Sequence, residues 1–243
     1  MEILMNIKIL HADDNLIVLD KPAGILVHPT MANEKNTLVD WLTEKYPEIK
    51  KLDWPDKTRV GVVHRLDKNT SGLVVMAKTP EVLAKLQEQF QKRGVRKTYL
   101  ALVLGKVEKK GKIEADITRG DAGLQKVIEN NYSFSPKTHP AVTGYQPIKH
   151  YCYKNNDLTL LEVAPKTGRM HQIRVHLKYI GFPIVGDPLY NIKSSRNLSK
   201  ELGVNRQFLH ASKLEFIHPQ TNKKLSFGST LPDDLQSILN KIK

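Results

Sequence analysis

An α+β fold is the class this sequence predicts, and three observations carry it. Short apolar, β-branched runs bounded by Asp, Asn and Gly clusters recur along the chain, the mark of strands and tight turns. Between them lie segments whose apolar residues recur at helical spacing behind good N-cap residues. The 243 residues are 40% hydrophobic and 26% charged, which suits one well-buried domain over 1–243 with room for two lobes. No internal repeat, low-complexity linker or sharp domain boundary interrupts it.

In chain order, Ile7 to Leu10 and Asn15 to Leu19 flank the turn cluster Asp13-Asp14-Asn15 and read as a β-hairpin. Lys21-Pro22-Ala23-Gly24 breaks the chain before Ile25-Leu26-Val27-His28-Pro29. Asn36 or Thr37 caps a helix carrying Leu38, Trp41, Leu42 and Tyr46, closed by Pro47. Lys50 to Arg59 is polar and reads as a loop.

Next comes the run from Gly61 to Lys78, in which two apolar stretches enclose His64-Arg65-Leu66-Asp67-Lys68-Asn69-Thr70-Ser71-Gly72. It reads as strand, loop, strand, with a lone carboxylate, Asp67, at the centre of the loop. Set between Arg65 and Lys68, that carboxylate is charged at neutral pH. From periodicity and charge alone, Asp67 is a solvated turn residue, because Asp, Asn, Thr, Ser and Gly are what turns are made of.

Thr79-Pro80-Glu81 is a strong helix start, with Leu83, Leu86 and Phe90 as the buried stripe and Gly94 at the end. Val95 to Gly105 follows as a strand containing Tyr99. Gly111 to His150 reads as short strands and loops, broken at Asp121-Ala122-Gly123 and Ser135-Pro136. Leu158 to Val163 is a strand. Gly168 opens a helix that places Ile173, Leu177 and Ile180 on an apolar face and ends at Gly181. His171, Arg174 and Lys178 form a separate basic stripe on it. Ile184 to Tyr190 is a strand entering a tight turn, in which Asp187 is a turn former rather than a second catalytic acid. Asn191 to Arg206 is a polar insert, and Pro232 caps a short final helix.

The words of five of these segments go beyond their pattern. H-R-L-D-K-N-T-S-G-L at 64–73 closely resembles the signature loop of the RluA-type pseudouridine synthases. The opening run from Asp13 to Pro29, the lysine-x-tyrosine-leucine-alanine run at 97–101, the P-K-T-G-R-M-H-Q-I-R-V-H-L run at 165–177 and Phe208-Leu209-His210-Ala211 resemble further segments of that family in the expected order. The resemblance implies a mixed, mainly antiparallel sheet flanked by helices with a central active-site cleft. It implies that Asp67 is the catalytic nucleophile, that Arg174 salt-bridges it, and that Tyr99 stacks on the target base. It further implies that Leu209 packs against that base and that Arg65 fills the space the base vacates. His64, Arg169, His171 and Lys21 are the remaining expected RNA contacts. Met170 stands where the family more often has threonine, and Asn130 to Lys137 departs from its pattern. The chain opens on the catalytic-domain hairpin, so no separate N-terminal RNA-binding domain is expected.

Composition is consistent with this. The net charge is +13, with Lys92, Arg93, Arg96 and Lys97, then Lys106, Lys109, Lys110 and Lys112, crowded together. Such clustering is the electrostatic footprint of a polyanion, here RNA. One cysteine, Cys152, excludes an internal disulfide and any cysteine-rich metal site. No apolar run spans a bilayer and no signal-peptide layout is present, so a cytoplasmic protein without a membrane partner is expected. There is no Walker or dinucleotide loop and no H-E-x-x-H, and isomerising a uridine needs neither redox partner nor metal. No cofactor is expected, and a monomer is. Large-subunit ribosomal RNA and transfer RNA are the candidate substrates. The competing reading is a non-catalytic RNA-binding or ribosome-assembly protein on the same scaffold; a carboxylate-pair nucleosidase or nuclease lacks a persuasive second acid.

Overall fold

A computed structural model describes residues 7–31, 34–120, 124–128 and 138–242. The expected breakers at 121–123 and 135–136, and the segment 130–137, lie outside those residues. The chain is α+β and resolves into two compact units, Met1–Arg96 with Ala211–Ser229, and Lys97–His210 with Thr230–Lys243.

The first unit begins with the expected hairpin, β1 (Lys8–Ala12) and β2 (Leu16–Lys21), paired antiparallel with a bulge between Ile9 and His11. Asp13 makes the turn: its carboxylate accepts from the N–H groups of Asn15 and Leu16 and from His11 and His218. Burial opposes that charge, yet these donors hold the carboxyl at about 2. Strand β3 (Ser71–Ala77) pairs antiparallel with β2 and has β10 (Leu209–Ile217) as its other neighbour. β10 in turn pairs with β11 (Lys224–Gly228). Leu16 to Leu19 and Val74 to Ala77 are fully buried, as expected of runs apolar on both faces.

Two helices cover this sheet. α1 (Leu38–Lys45) starts with a full capping box, in which Thr37 Oγ1 accepts from Asp40 N–H and the Asp40 carboxylate accepts from Thr37 N–H. α2 (Pro80–Gln91) is capped by Thr79 and packs on β3 through Val82, Leu83 and Leu86. The strand expected before Asp67 is reduced to one bridge, Val62 to Met76. Gly61 sits in the left-handed region at φ +69°, and its ideal Cβ would lie 2.4 Å from the Ala77 carbonyl oxygen, a close approach that only glycine allows.

In the second unit β4 (Arg96–Leu104), β9 (Asn156–Pro165), β8 (Val142–Tyr153) and β5 (Gly111–Glu114) form one antiparallel series. β6 (Asp116–Arg119) and β7 (Gln125–Ile128) make a separate hairpin arm. The helix after Gly168 is α3 (Gln172–Tyr179), four residues later than expected, because 167–171 is a structured turn. The polar insert contains a helix, α4 (Lys193–Leu202), ended by Gly203 at φ +73°. α5 (Asp233–Lys241) is the expected final helix.

Candidate active site

In the first unit the loop around Asp67 is built from below. Thr70 N–H donates to the Asp67 carbonyl at 3.0 Å, closing a turn that leaves the Asp67 side chain half-buried. The next carbonyl, that of Lys68, accepts from Gly24 N–H at 2.9 Å and from Lys21 Nζ at 3.0 Å. Lys21 also donates to the carbonyls of Pro22 at 2.8 Å and Ile25 at 3.0 Å. The Lys-Pro-Ala-Gly break thus folds under the loop and ties the residue beside Asp67 to β2.

This corrects the expectation that Lys21 contacts RNA. Its side chain is 0% exposed, and three carbonyl oxygens accept from its buried ammonium.

Histidines hold the other end of the loop. His64 Nε2 accepts from Val75 N–H at 3.2 Å, and its ring stacks on Phe90 of α2 with centroids 4.7 Å apart. His28, buried, donates from Nδ1 to the Pro29 carbonyl at 2.8 Å, which leaves Nε2 to accept from Arg65 Nη1 at 3.3 Å. Burial, with Arg65 beside it, lowers the His28 pKa and keeps the ring neutral. Arg65 itself is exposed, one side chain away from the carboxylate it precedes by two residues. His28 received no role from sequence, although it stands in the opening run that resembles the family.

The second unit holds Tyr99, Arg169, His171, Arg174 and Leu209. Tyr99 in β4 and Leu209 at the start of β10 are buried. Lys97, two residues before Tyr99, donates to the Thr167 carbonyl at 3.3 Å, and burial brings its ammonium down to about 8. The turn 167–171 is organised by Gln172, whose Oε1 accepts from Thr167 Oγ1 and Arg169 N–H while its Nε2 donates to the Val142 carbonyl and Thr143 Oγ1. Arg169 is exposed, with Nε 3.4 Å from the Pro140 carbonyl.

Of the basic stripe expected along α3, Lys178 is exposed and Arg174 is buried. Arg174 is 3% exposed and makes a bidentate pair with Asp187, Nε to Oδ2 at 2.7 Å and Nη2 to Oδ1 at 2.9 Å. Asp187 also accepts from the N–H groups of Leu189 and Tyr190, so it is the turn former expected and an ion-pair partner as well. Burial opposes its charge, but Arg174 and those N–H groups hold the carboxyl below the usual range. The Arg174 guanidinium lies 5.1 Å above the Tyr190 ring centroid. The sequence marked Asp187 only as a turn former and Tyr190 only as the end of that strand and turn; nothing in their spacing pointed to Arg174. Among the described residues no cluster of three or more His, Cys, Asp or Glu could hold a metal, and no helix is long and apolar enough to cross a membrane.

A family model described as RNA pseudouridylate synthase matches residues 15–179. The chain belongs to this family. It is 41% identical over 239 residues to the ribosomal large subunit pseudouridine synthase D of Nitrosomonas europaea, covering 98% of this chain and 65% of that protein. It is 40% identical over 224 residues to an uncharacterized RNA pseudouridine synthase of Chloroflexus aurantiacus, covering 92% of this chain and 66% of that protein. The chain therefore spans about two thirds of the length of these relatives. Among solved structures, human RNA pseudouridylate synthase domain containing 4 superimposes with a TM-score of 0.72 at 26% identity, over 97% of this chain and 93% of the other. Human RNA pseudouridylate synthase domain containing 1 gives 0.74 at 23% identity, over 97% and 88%, which speaks to the fold. The pseudouridylate synthase match takes in Lys21, His28, Asp67, Tyr99 and Arg174, and stops before Asp187, Tyr190 and Leu209.

Proposed function

We propose that the protein is an RNA pseudouridine synthase acting on large-subunit ribosomal RNA, with Asp67 as nucleophile. The observation that carries this is similarity over 98% of this chain to relatives named ribosomal large subunit pseudouridine synthase D, together with an intact Asp67 in the loop that resembles the family signature.

The reaction breaks the N1–C1′ bond of a uridine, turns the base, and forms a C5–C1′ bond. The proton on carbon 5 is lost and N1 gains one, so the isomerisation balances without any oxidant or metal. A carboxylate can serve such chemistry by adding to C1′, as in retaining glycosidases, or by removing the 2′ proton to give a glycal. Both routes are open to Asp67. Taking the base out of the stack costs a few kcal/mol, and Arg65 is the side chain assigned to replace it. Tyr99 and Leu209 are assigned to the base and Arg174 to the charge of the nucleophile. His64, Arg169 and His171 are assigned to the surrounding RNA.

The test is tritium release from RNA labelled at uridine carbon 5, using total RNA from cells lacking the enzyme. Wild type should release tritium, and Asp67→Asn should lose all release while keeping its melting temperature. Retained turnover in that variant would end the assignment. No release from wild type, with tight RNA binding, would favour the non-catalytic binder. Fractionating the RNA decides between ribosomal and transfer RNA.

A further inference from the structure

The geometry points to His28 as the positioning residue for Arg65, the side chain assigned to the space the target base leaves, an inference that rests on the activity proposed above. Arg65 and Asp67 flank Leu66, whose side chain is buried, so the loop is anchored between its two functional residues. The Arg65 side chain is exposed, and its Nη1 meets His28 Nε2 at 3.3 Å.

Both partners of the His28 ring have a fixed sense. The Pro29 carbonyl, 2.8 Å from Nδ1, can only accept, so Nδ1 carries a proton. A guanidinium can only donate, so Nε2 offers its lone pair to Arg65. One neutral tautomer satisfies both partners, whereas a protonated ring satisfies the first alone. Burial works against the protonated ring. The Pro29 carbonyl favours it, Arg65 and Arg59 oppose it and Asp56 favours it, and the balance lowers the pKa.

The backbone behind His28 is held independently of Arg65. The carbonyls of Leu26 and Val27 accept from the N–H groups of Leu38 and Val39 at 2.9 and 3.1 Å. These donors open α1 and have no partner within their own helix. His28 itself is 3% exposed. A buried ring on a fixed backbone thus steadies the far end of a long, exposed side chain. An arginine held in place before RNA arrives has less side-chain entropy to lose on entering the stack.

The experiment combines His28→Leu, which removes the acceptor, His28→Gln, which keeps an acceptor that cannot titrate, and Arg65→Ala. Long-range proton–nitrogen NMR, with His28 assigned by its loss in His28→Gln, should show the wild-type ring protonated on Nδ1 and bare on Nε2. Near neutral pH, kcat/KM for large-subunit RNA should fall about tenfold in His28→Leu, the scale of one lost hydrogen bond, and return to within about threefold of wild type in His28→Gln. In the Arg65→Ala background His28→Leu should cost nothing further. As pH drops below about 6.5, wild type should lose more activity than His28→Gln. A neutral ring protonated on Nε2, losses that multiply in the double variant, or identical acid profiles would overturn the inference. Should His28→Leu fail to fold, the spectra and the acid profile of His28→Gln decide the matter in the same way. If wild type shows no turnover on any RNA, the activity fails, and the ring-nitrogen spectra with the same variants read as RNA dissociation constants still decide the role of His28.

Discussion

Arg174 and Asp187 show how a single buried pair can be indispensable without being strongly stabilising. Two charges have lost their water, and their attraction does little more than offset that loss. Removing Asp187 takes from Arg174 its bidentate acceptor and from the turn the acceptor of the Leu189 and Tyr190 N–H groups. Asp187→Ala should cost about 3–5 kcal/mol in a urea unfolding curve, whereas breaking an exposed surface pair such as Lys154 with Glu201 should leave the curve nearly unchanged. Two neutral histidines give a pH signature. Burial lowers the pKa of His28 and of His176, whose Nε2 donates to the Ala115 carbonyl while Nδ1 accepts from Thr143. A base depressed in the folded state binds fewer protons than the unfolded chain does. Stability is therefore complete above about pH 6.5 and falls as pH drops through that value. Asp13 and Asp187, depressed acids, lose their contributions only at lower pH, below about 4. The melting temperature should decline between about pH 7 and pH 5, and decline less in His176→Gln. Asp67, Tyr99 and Arg174 each sit in a contiguous, recognisable run, which is why the sequence singles them out. Lys21 was misread because burial of a lysine depends on carbonyls, and carbonyls carry no letter in a sequence.

At the level of elements, the break after β2 acts as a foundation for the loop that carries Asp67. Lys21→Met keeps the aliphatic stem but removes the ammonium that three carbonyls accept from. It should lower stability by about 1–3 kcal/mol, read from denaturant melts, and reduce tritium release more than RNA affinity. Elements with an ordinary apolar rhythm or a good cap were foreseen: α1 from Thr37, α2 from Thr79, and the β1–β2 hairpin from Asp13. Those that were missed hide their rhythm for physical reasons. The buried stripe of α4 is Ser195, Leu198, Ser199 and Leu202, half of it serine. Ser199 earns its burial by accepting from Gly186 N–H and donating to the Ser195 carbonyl. β8 is largely exposed, and Pro147 stands at its register shift, where a strand tolerates a residue that cannot donate. No alternation survives such a pattern.

For the molecule as a whole, the proposed function makes RNA the partner, and a charge of +13 would make its binding an ion-exchange reaction. Every phosphate neutralised releases counterions, and affinity falls as a power of salt concentration. Filter binding to large-subunit RNA should weaken by about a hundredfold or more between roughly 50 and 200 mM salt, and a flat profile would refute charge as the main source of affinity. The way the first unit is threaded has a consequence for how the protein is made. β3 pairs with β2, but its other neighbour, β10, begins far downstream, and Gly72 admits it so closely that an added Cβ would lie 2.3 Å from the Ala211 carbonyl oxygen. From Ala77 to Ala211 is 211 − 77 = 134 residues, about 7–27 s of translation at ~5–20 residues per second. Throughout that interval a nascent chain carries Leu73 to Met76 on an open strand edge, the kind of template on which neighbouring chains mispair. Newly made molecules should thus need chaperone cover until β10 is made, because the strand that follows the Asp67 loop keeps an open edge until then.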